Sequence, residues 1–401
     1  MKYYIIAGEA SGDLHGANLI KSIKAKDSKA SFRFWGGDLM QQQTQGLVKH
    51  YRDLAFMGFI EVLFNLRTIF RNISICKKDI TAFQPDVIIF IDYPGFNLRI
   101  AKWAKKEGFK THYYISPQIW AWKEGRIKDI KADVDAMYVI LPFEKDFYQD
   151  KHNFPVHFVG HPLIDAIDNR EQTNKEAFAK LHGLDQRPII ALLPGSRKQE
   201  ISKMLRIMLS ITNNFEDYQF VIAGAPSQDA SFYAPFLNKQ NIHLLLNKTY
   251  DLLSVSHAAI VTSGTATLET ALFKVPQVVC YKGNAISVAI ARQVVKLKYI
   301  SLVNLILDKE VVTELIQGDF NTQRLIKELT KILDKDNRAS LLKSYDALEQ
   351  KLGGIGASAN PPSRTSKSAS DWFNNRSAAW DMSMVSASLL SSLRQLVLSA
   401  T

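Results

Sequence analysis

Two doubly wound α/β domains, each with a parallel sheet covered on both faces, are the fold class the sequence predicts. Three observations predict it. Short apolar runs alternate with helical patterns from the first residues onward. That alternation is interrupted by the polar stretch Asn169–Lys180 and then restarts. A chain of 401 residues, 46% of them hydrophobic, is long enough for two separate cores. Two such domains are expected to face one another across a cleft, with ligands at the carboxyl ends of their strands.

In the first domain the apolar runs predict strands at Tyr3–Ala7, Phe32–Trp35, Val87–Ile91, Thr111–Ile115, Ala136–Leu141 and Val156–Val159. Helical patterns fill the gaps, among them Leu14–Lys26, Phe59–Phe83 and Asn97–Lys106. In the second, strands are predicted at Ile189–Leu193, Gln219–Ala223, His243–Leu245, Ala258–Val261 and Gln277–Cys280. The expected division is 1–168, 169–335, and a helix over 336–352 that returns toward the first domain. Residues 353–401 are rich in Ser and Ala, carry a Pro-Pro pair and lack a long core pattern, so most of that tail is expected to be disordered.

A formal charge of +11 suggests anionic partners: phosphorylated substrates, nucleic acid or an acidic membrane surface. No nucleic-acid reader motif is present, which leaves that partner without support. The two cysteines, Cys76 and Cys280, form no CxxC pair and fit a reducing cytosol. The start, MKYYIIAGEASGD, is not a signal peptide, and no window approaches the roughly 20 apolar residues of a spanning helix. Membrane contact is therefore expected to be peripheral.

The chemistry-bearing residues follow strands. Gly8–Asp13 follows the first strand; its amides and Ser11 suit a phosphate or sugar hydroxyl, and Glu9 and Asp13 are potential bases or sugar ligands. It is not GxGxxG, which disfavours a nicotinamide enzyme. Asp92 ends the run Val87–Ile91, where partial desolvation would raise its pKa and suit it as a general base; a turn-capping role before Pro94 is the alternative. In Leu193-Pro194-Gly195-Ser196-Arg197, Ser196 could cap a helix and Arg197 could grip a diphosphate. Thr262–Ala266 is a turn of small residues between a strand and a helix, where unpartnered amides and the helix dipole suit an anion; Glu269, one turn on, could hold ribose hydroxyls. An ordinary N-capped helix is the alternative there.

Ser116–Lys123 carries Trp120 and Trp122 ahead of a basic helix with Arg126, Lys128 and Lys131, and reads either as a cleft wall or as a packed aromatic loop. Phe56–Arg71 is apolar around most of its helix with basic flanks, which fits a surface dipping into a bilayer or a greasy substrate; a core helix is the alternative. His161 sits at the presumed hinge and reads as structural.

The motifs GEASGD (8–13), MGFIEVL (57–63), IDYPGFN (91–97), SPQIWAW (116–122), LPFE (141–144), GHP (160–162), LLPGSR (192–197) and SGTATLE (263–269) occur in an order that resembles the lipid-A-disaccharide synthase family, inverting glycosyltransferases of the GT-B fold. The resemblance spans Met1 to about Leu352. It implies transfer of 2,3-diacylglucosamine from its UDP conjugate to the 6-hydroxyl of 2,3-diacylglucosamine 1-phosphate (lipid X), with release of UDP, in lipid A biosynthesis. It implies an acceptor- and membrane-facing first domain and a UDP-sugar-binding second one. Asp92 would be the general base, and Glu9, Ser11 and Gly12 the first-turn residues near the acceptor. Ser196, Arg197, Ser263, Gly264, Thr265, Ala266, Glu269 and Asn304 would bind UDP. Phe56, Met57, Phe59, Ile60, Leu63 and Phe64 would meet acyl chains or the inner leaflet. No metal or other cofactor is implied. The resemblance further implies a cytoplasmic protein, peripheral on the inner face of the Gram-negative inner membrane, and allows a homodimer. Residues 357–401 depart from the family's usual ending. The rival readings are another UDP-sugar enzyme of this fold, such as a 2-epimerase or a peptidoglycan-precursor transferase, and a phosphosugar-binding protein without chemistry.

Overall fold

The computed structural model describes residues 1–54, 66–168, 170, 172–283 and 297–353. They divide into two compact units, Met1–Asp165 and Ala166–Lys351, with Leu352 counted in the first. The first unit is built on a seven-stranded sheet. Its strands are β1 (Lys2–Ala7), β2 (Ser31–Gly36), β3 (Leu47–His50), β4 (Val87–Ile91), β5 (Thr111–Tyr114), β6 (Ala136–Val139) and β7 (His157–Phe158), in the order β3-β2-β1-β4-β5-β6-β7. The second is built on β8 (Ile189–Leu193), β9 (Gln219–Gly224), β10 (Ile242–Leu246), β11 (Ala258–Thr262), β12 (Gln277–Tyr281) and β13 (Glu314–Ile316), ordered β10-β9-β8-β11-β12-β13. Every pairing is parallel.

Burial on both faces explains why the central strands read as unbroken apolar runs. From β1, Tyr3, Ile5 and Ala7 pack with Ala17, Ile20 and Ile23 of helix Ala10–Lys26. Tyr4 and Ile6 point the other way, onto Ile100, Ala101 and Ala104 of helix Pro94–Lys106. In the second unit Ile190, Leu192 and Ile260 meet Ile201, Met204 and Leu205, while Ala191, Leu193 and Val261 meet Leu252 and Leu253. Two edge strands were not expected from the sequence. β3 is half-buried throughout and β13 has three residues. An edge strand has one partner and a wet side, so it leaves no continuous apolar run.

The first helix starts at Ala10, four residues before the predicted start, so Ser11, Gly12 and Asp13 lie in its opening turn. Asp13 is not a base or sugar ligand. Its buried carboxylate accepts from the amides of Gly37 at 2.6 Å, Leu39 at 3.0 Å and Met40 at 3.1 Å, and so holds the start of helix Asp38–Gln43. Burial raises its pKa and those three amides oppose the rise. Asp13→Ala would strand three amides in the core. We expect the unfolding free energy to fall by about 3 kcal/mol, measured by urea denaturation.

Candidate active site

In the first unit the strand register brings three loops together. Ala7 pairs with Ile91, and Ile91 with Tyr114, so Gly8–Glu9, Asp92–Tyr93 and Ile115–Ser116 leave the sheet side by side. The β1/β4 pair is also where the strand order reverses, the usual ligand position of a doubly wound sheet. The backbone there is strained. Asp92, Tyr93 and Ile115 have φ of 43°, 49° and 63°, in the left-handed region that costs a non-glycine residue about 1–3 kcal/mol.

Specific partners hold that strain. The Asp92 carbonyl accepts from Tyr113 Oη at 2.6 Å and Asn97 Nδ2 at 2.7 Å, and its amide donates to the Tyr114 carbonyl at 3.2 Å. Tyr93 lies directly on Gly8, where a Cβ would come within 2.3 Å of the tyrosine ring. The N-cap of helix Pro94–Lys106 is Tyr93, so Asp92 is not the capping residue. Asp92 keeps partial solvent access although protein surrounds it on most sides. Burial, then the charges of Glu9 and Glu144, push its pKa up to about 7, against the pull of the Tyr93 amide. Glu9 is the N-cap of helix Ala10–Lys26 and, like Ser11, is half-buried. Gly12 serves packing, since a Cβ there would meet Ala7 Cβ at 3.0 Å.

Glu144, part of a quoted motif but given no role from sequence, organises the tryptophan loop. Its buried carboxylate accepts from Ser116 Oγ at 2.6 Å, Trp120 Nε1 at 3.2 Å, and the amides of Ile140 at 3.2 Å and Leu141 at 2.9 Å. Trp120 is thus loop packing, edge-on to Phe143. Trp122 instead carries Lys123 and Arg126 over its ring. His161 is buried, its Nδ1 accepts from the Leu163 amide at 3.3 Å, and burial lowers its pKa to about 3, a structural histidine.

The second unit repeats the arrangement: Leu193 pairs with Val261 where its strand order reverses. The first turn, Pro194–Arg197, departs from the sequence reading. Arg197, not Ser196, is the N-cap of helix Lys198–Met208, and no side chain caps it. Glu200, three residues on, lies under the turn. A Cβ on Gly195, whose φ is +100°, would come within 2.7 Å of Glu200 Oε2. Burial raises the Glu200 pKa, while the Arg197 guanidinium and the amides of Arg197 and Ser196 favour its anion. Those amides and the Arg197 guanidinium therefore act on a carboxylate of the chain itself. The Ser196 carbonyl accepts from Ser227 Oγ at 2.9 Å.

At the other turn, Ser263 Oγ donates to the Ile300 carbonyl at 2.8 Å. Gly264 is buried and precedes helix Thr265–Leu272; among the described residues, a Cβ there would meet nothing within 4 Å. Thr265 and Ala266 are half-buried in its first turn. Glu269 is buried; its Oε1 accepts from Tyr250 Oη at 2.9 Å, and burial pushes its pKa up to about 7 against that hydrogen bond. Arg170 stacks on Tyr250 and Phe273 and pairs with Asp251. Asn304 is fully occupied. Its Nδ2 donates to the Val312 carbonyl at 2.8 Å and Glu314 Oε1 at 2.9 Å, and its Oδ1 accepts the amides of Val311 and Val312. As folded, its side chain has nothing left for a nucleotide. Instead it fixes Glu314, which accepts the Ile300 and Ser301 amides beside Ser263. Phe56, Met57, Phe59, Ile60, Leu63 and Phe64 lie outside the described residues, as does the tail from residue 354.

A family model described as lipid-A-disaccharide synthetase matches residues 3–359. The lipid-A-disaccharide synthase of Syntrophus aciditrophicus is 39% identical over 362 residues, covering 88% of this chain and 94% of its own. That of Coxiella burnetii is also 39% identical over 362 residues, covering 89% and 95%. Among solved structures, a UDP-GlcNAc 2-epimerase from Neisseria meningitidis bound to UDP-GlcNAc superposes with a TM-score of 0.61 over 88% of this chain and 99% of that one. At 13% identity the last likeness speaks for the fold alone.

The raised carboxyls have a consequence for stability. Asp92 and Glu269 keep their protons in the fold at pH values where the unfolded chain has lost them. Their burial therefore costs nothing below about pH 4, and stability falls as the pH rises from there to about 7. Asn tolerates left-handed backbone, so Asp92→Asn spares the turn. The variant should be more stable than the parent near pH 8, by at most about 4 kcal/mol, and equal to it near pH 4. Urea denaturation at both pH values checks this, and a difference independent of pH would count against it.

Proposed function

The chain belongs to the lipid-A-disaccharide synthetase family, and from that premise we propose how its residues divide the work of glycosyl transfer. It is a glycosyltransferase of lipid A disaccharide synthesis. The 2-epimerase alternative has only a distant likeness of fold behind it. In the proposed reaction the donor is UDP-2,3-diacylglucosamine and the acceptor 2,3-diacylglucosamine 1-phosphate. Asp92 accepts the proton of the acceptor's 6-hydroxyl as that oxygen bonds to the donor's C1. The C1–oxygen bond to the diphosphate breaks on the opposite face, and its electron pair leaves with UDP. The products are the β-1,6-linked disaccharide 1-phosphate and UDP.

The observation that carries this reading is Asp92 itself: a carboxyl with a pKa of about 7, at the end of a central strand, its backbone pinned from two sides. A base that titrates near the working pH is ionised often enough to act and basic enough to take a proton. In the second unit, Arg197 meets the diphosphate, where a guanidinium offers paired charged hydrogen bonds. The opening amides of helix Thr265–Leu272, with Ser263, Gly264, Thr265 and Ala266 around them, meet charge developing on the leaving oxygen. Glu269, oriented by Tyr250, takes the ribose hydroxyls. Ser196 contributes through the turn's backbone and Asn304 through the shape of its loop. No metal is part of this proposal.

Helix Leu66–Phe83 supports a membrane-surface role beside the apolar segment that precedes it. Arg67, Phe70, Arg71, Ser74, Ile75 and Lys78 are exposed along one stripe, Phe70 by 61% and Ile75 by 39%. Cations interleaved with large apolar side chains suit anionic headgroups. No helix among the described residues is long and apolar enough to cross a membrane. The proposed location is the inner face of the Gram-negative inner membrane, on its cytoplasmic side.

Two measurements test these roles. Asp92→Asn is expected to abolish disaccharide formation, followed by mass spectrometry, while UDP still binds; Arg197→Ala should weaken UDP by about 10- to 100-fold. Substantial turnover by the first variant, or an unchanged UDP dissociation constant in the second, would remove that residue from its role. For the surface, replacing Arg67, Arg71 and Lys78 together by Gln should cut binding to anionic vesicles at least about tenfold, since each cation is worth about 1 kcal/mol there. Equal retention on vesicles by parent and variant would move the contact elsewhere.

A further inference from the structure

The tryptophan loop leaves the sheet directly beside Asp92, because its parent strand β5 pairs with β4, Tyr114 opposite Ile91. At its end two cations share one aromatic face. Lys123 Nζ lies 4.2 Å from the centre of the Trp122 ring and Arg126 Cζ lies 5.8 Å from it. Both are half-buried, and each lies in the field of a further cation, Lys123 in that of Arg126 and Arg126 in that of Arg99.

Such a cluster ordinarily carries a paired counter-ion; here Asp129 acts on Arg126 through its field. Among the described residues no carboxylate comes within salt-bridge distance of Lys123 or Arg126. The acid between them, Glu124, is turned away, to Lys151 at 2.7 Å and His152 at 2.9 Å. Desolvation lowers the pKa of both cations, helped by Arg126 at Lys123 and by Arg99 at Arg126, and opposed at Arg126 by Tyr113 and Asp129, so an arriving anion would relieve a cost already present in the fold. Arg126 also lies in the field of Tyr113, whose hydroxyl donates to the Asp92 carbonyl at 2.6 Å.

We propose that Lys123 and Arg126, held on the face of Trp122, bind the phosphate monoester of the acceptor and so select a glycosyl 1-phosphate over the unphosphorylated sugar. This rests on the transferase reading above. The 1-phosphate on C1 and the 6-hydroxyl, carried by the arm on C5, sit on the two carbons that flank the ring oxygen. A cation pair near the base but apart from it can therefore hold the phosphate while the 6-hydroxyl meets the base. Trp122 keeps both cations in place without neutralising them, as a carboxylate would. Arg126 supplies paired donors to the phosphate and Lys123 a point charge.

The test compares transfer to the 1-phosphorylated acceptor and to its dephosphorylated counterpart, in the parent and in Lys123→Gln, Arg126→Gln and the double variant. The parent should prefer the phosphorylated acceptor by roughly 100-fold in kcat/KM, and each single variant should erode that preference about tenfold. The loss should fall on acceptor KM while the donor KM stays unmoved, and Arg126→Lys should recover part of it. Inorganic phosphate should compete with the phosphorylated acceptor in the parent and more weakly in the double variant. Equal losses on both acceptors would mark a merely structural role. A preference that survives the double variant, or a parent with no preference, would overturn the assignment. Failure of the parent to transfer to either acceptor would instead bring down the transferase reading, a distinct result.

Discussion

The first unit depends on a pair of residues held where residues of their kind rarely sit. Asp92 and Tyr93 both occupy left-handed backbone, a combined cost of a few kcal/mol. Single hydrogen bonds contribute about 1 kcal/mol net, so no one partner could hold this turn. Asn97 joins the effort by reaching the carbonyls of Ile6, Ile91 and Asp92 with one amide group, tying the ends of β1 and β4 together. Tyr113 closes the carbonyl of Asp92 from the neighbouring strand, and Gly8 gives Tyr93 room. The direction of the Asp92 side chain follows from all of these at once. A carboxyl held this way keeps its position whether or not it is ionised, as a proton acceptor must.

The second unit uses the corresponding position of its own sheet for a different purpose, and its carboxyls need explaining. An anion site would ordinarily exclude Glu200 and Glu269. Both are enclosed, and enclosure raises both pKa values, Glu269 to about 7. Glu269, often protonated at neutral pH, would repel the proposed diphosphate less than a full anion, and it can donate as well as accept. Tyr250 fills one oxygen of Glu269 and leaves the residue oriented, while Arg170 steadies Tyr250 from behind through its ring. Glu200 acts on shape: with it packed beneath, the Pro194–Arg197 turn has to be built around a glycine.

Much of this fold was legible because the central strands are buried on both faces. Ile189–Leu193 and Val87–Ile91 were read with the bounds the structure has, since parallel strands of this kind announce themselves as uninterrupted apolar runs. The edge strands Leu47–His50 and Glu314–Ile316 carry no such signal. At the sites, position after a strand was readable and partnership was not. Asp13 and Asp92 look alike in the sequence, each a carboxylate in the turn region after an apolar run, Asp92 directly and Asp13 six residues on. Only tertiary contacts show that one is used up by the amides of Gly37, Leu39 and Met40 while the other is left partly exposed. The role of Asn304 is hidden for the same reason, its four hydrogen bonds going to residues seven to ten positions away in sequence. Asn97 and Glu144 sat inside recognised motifs, yet their roles lie in which carbonyls and donors they reach, and sequence spacing does not carry that.

Charge at the edge of the first sheet is sorted rather than mixed, and the sorting bears on how an acceptor is oriented. Glu9 and Glu144 both act on Asp92. Lys123 and Arg126 follow β5, and Arg99, on helix Pro94–Lys106, adds its charge to the field at Arg126. In the proposed reaction, an acceptor with its phosphate turned toward the carboxyls would be repelled by them. Turned the other way, it would meet the cations with its phosphate and Asp92 with its 6-hydroxyl. Attraction at the loop and repulsion at the strand ends would then act in the same sense, and the wrong orientation would be disfavoured by both. The elevated pKa of Asp92 fits this proposal: the neighbouring acids that raise it would also keep a phosphate away from it.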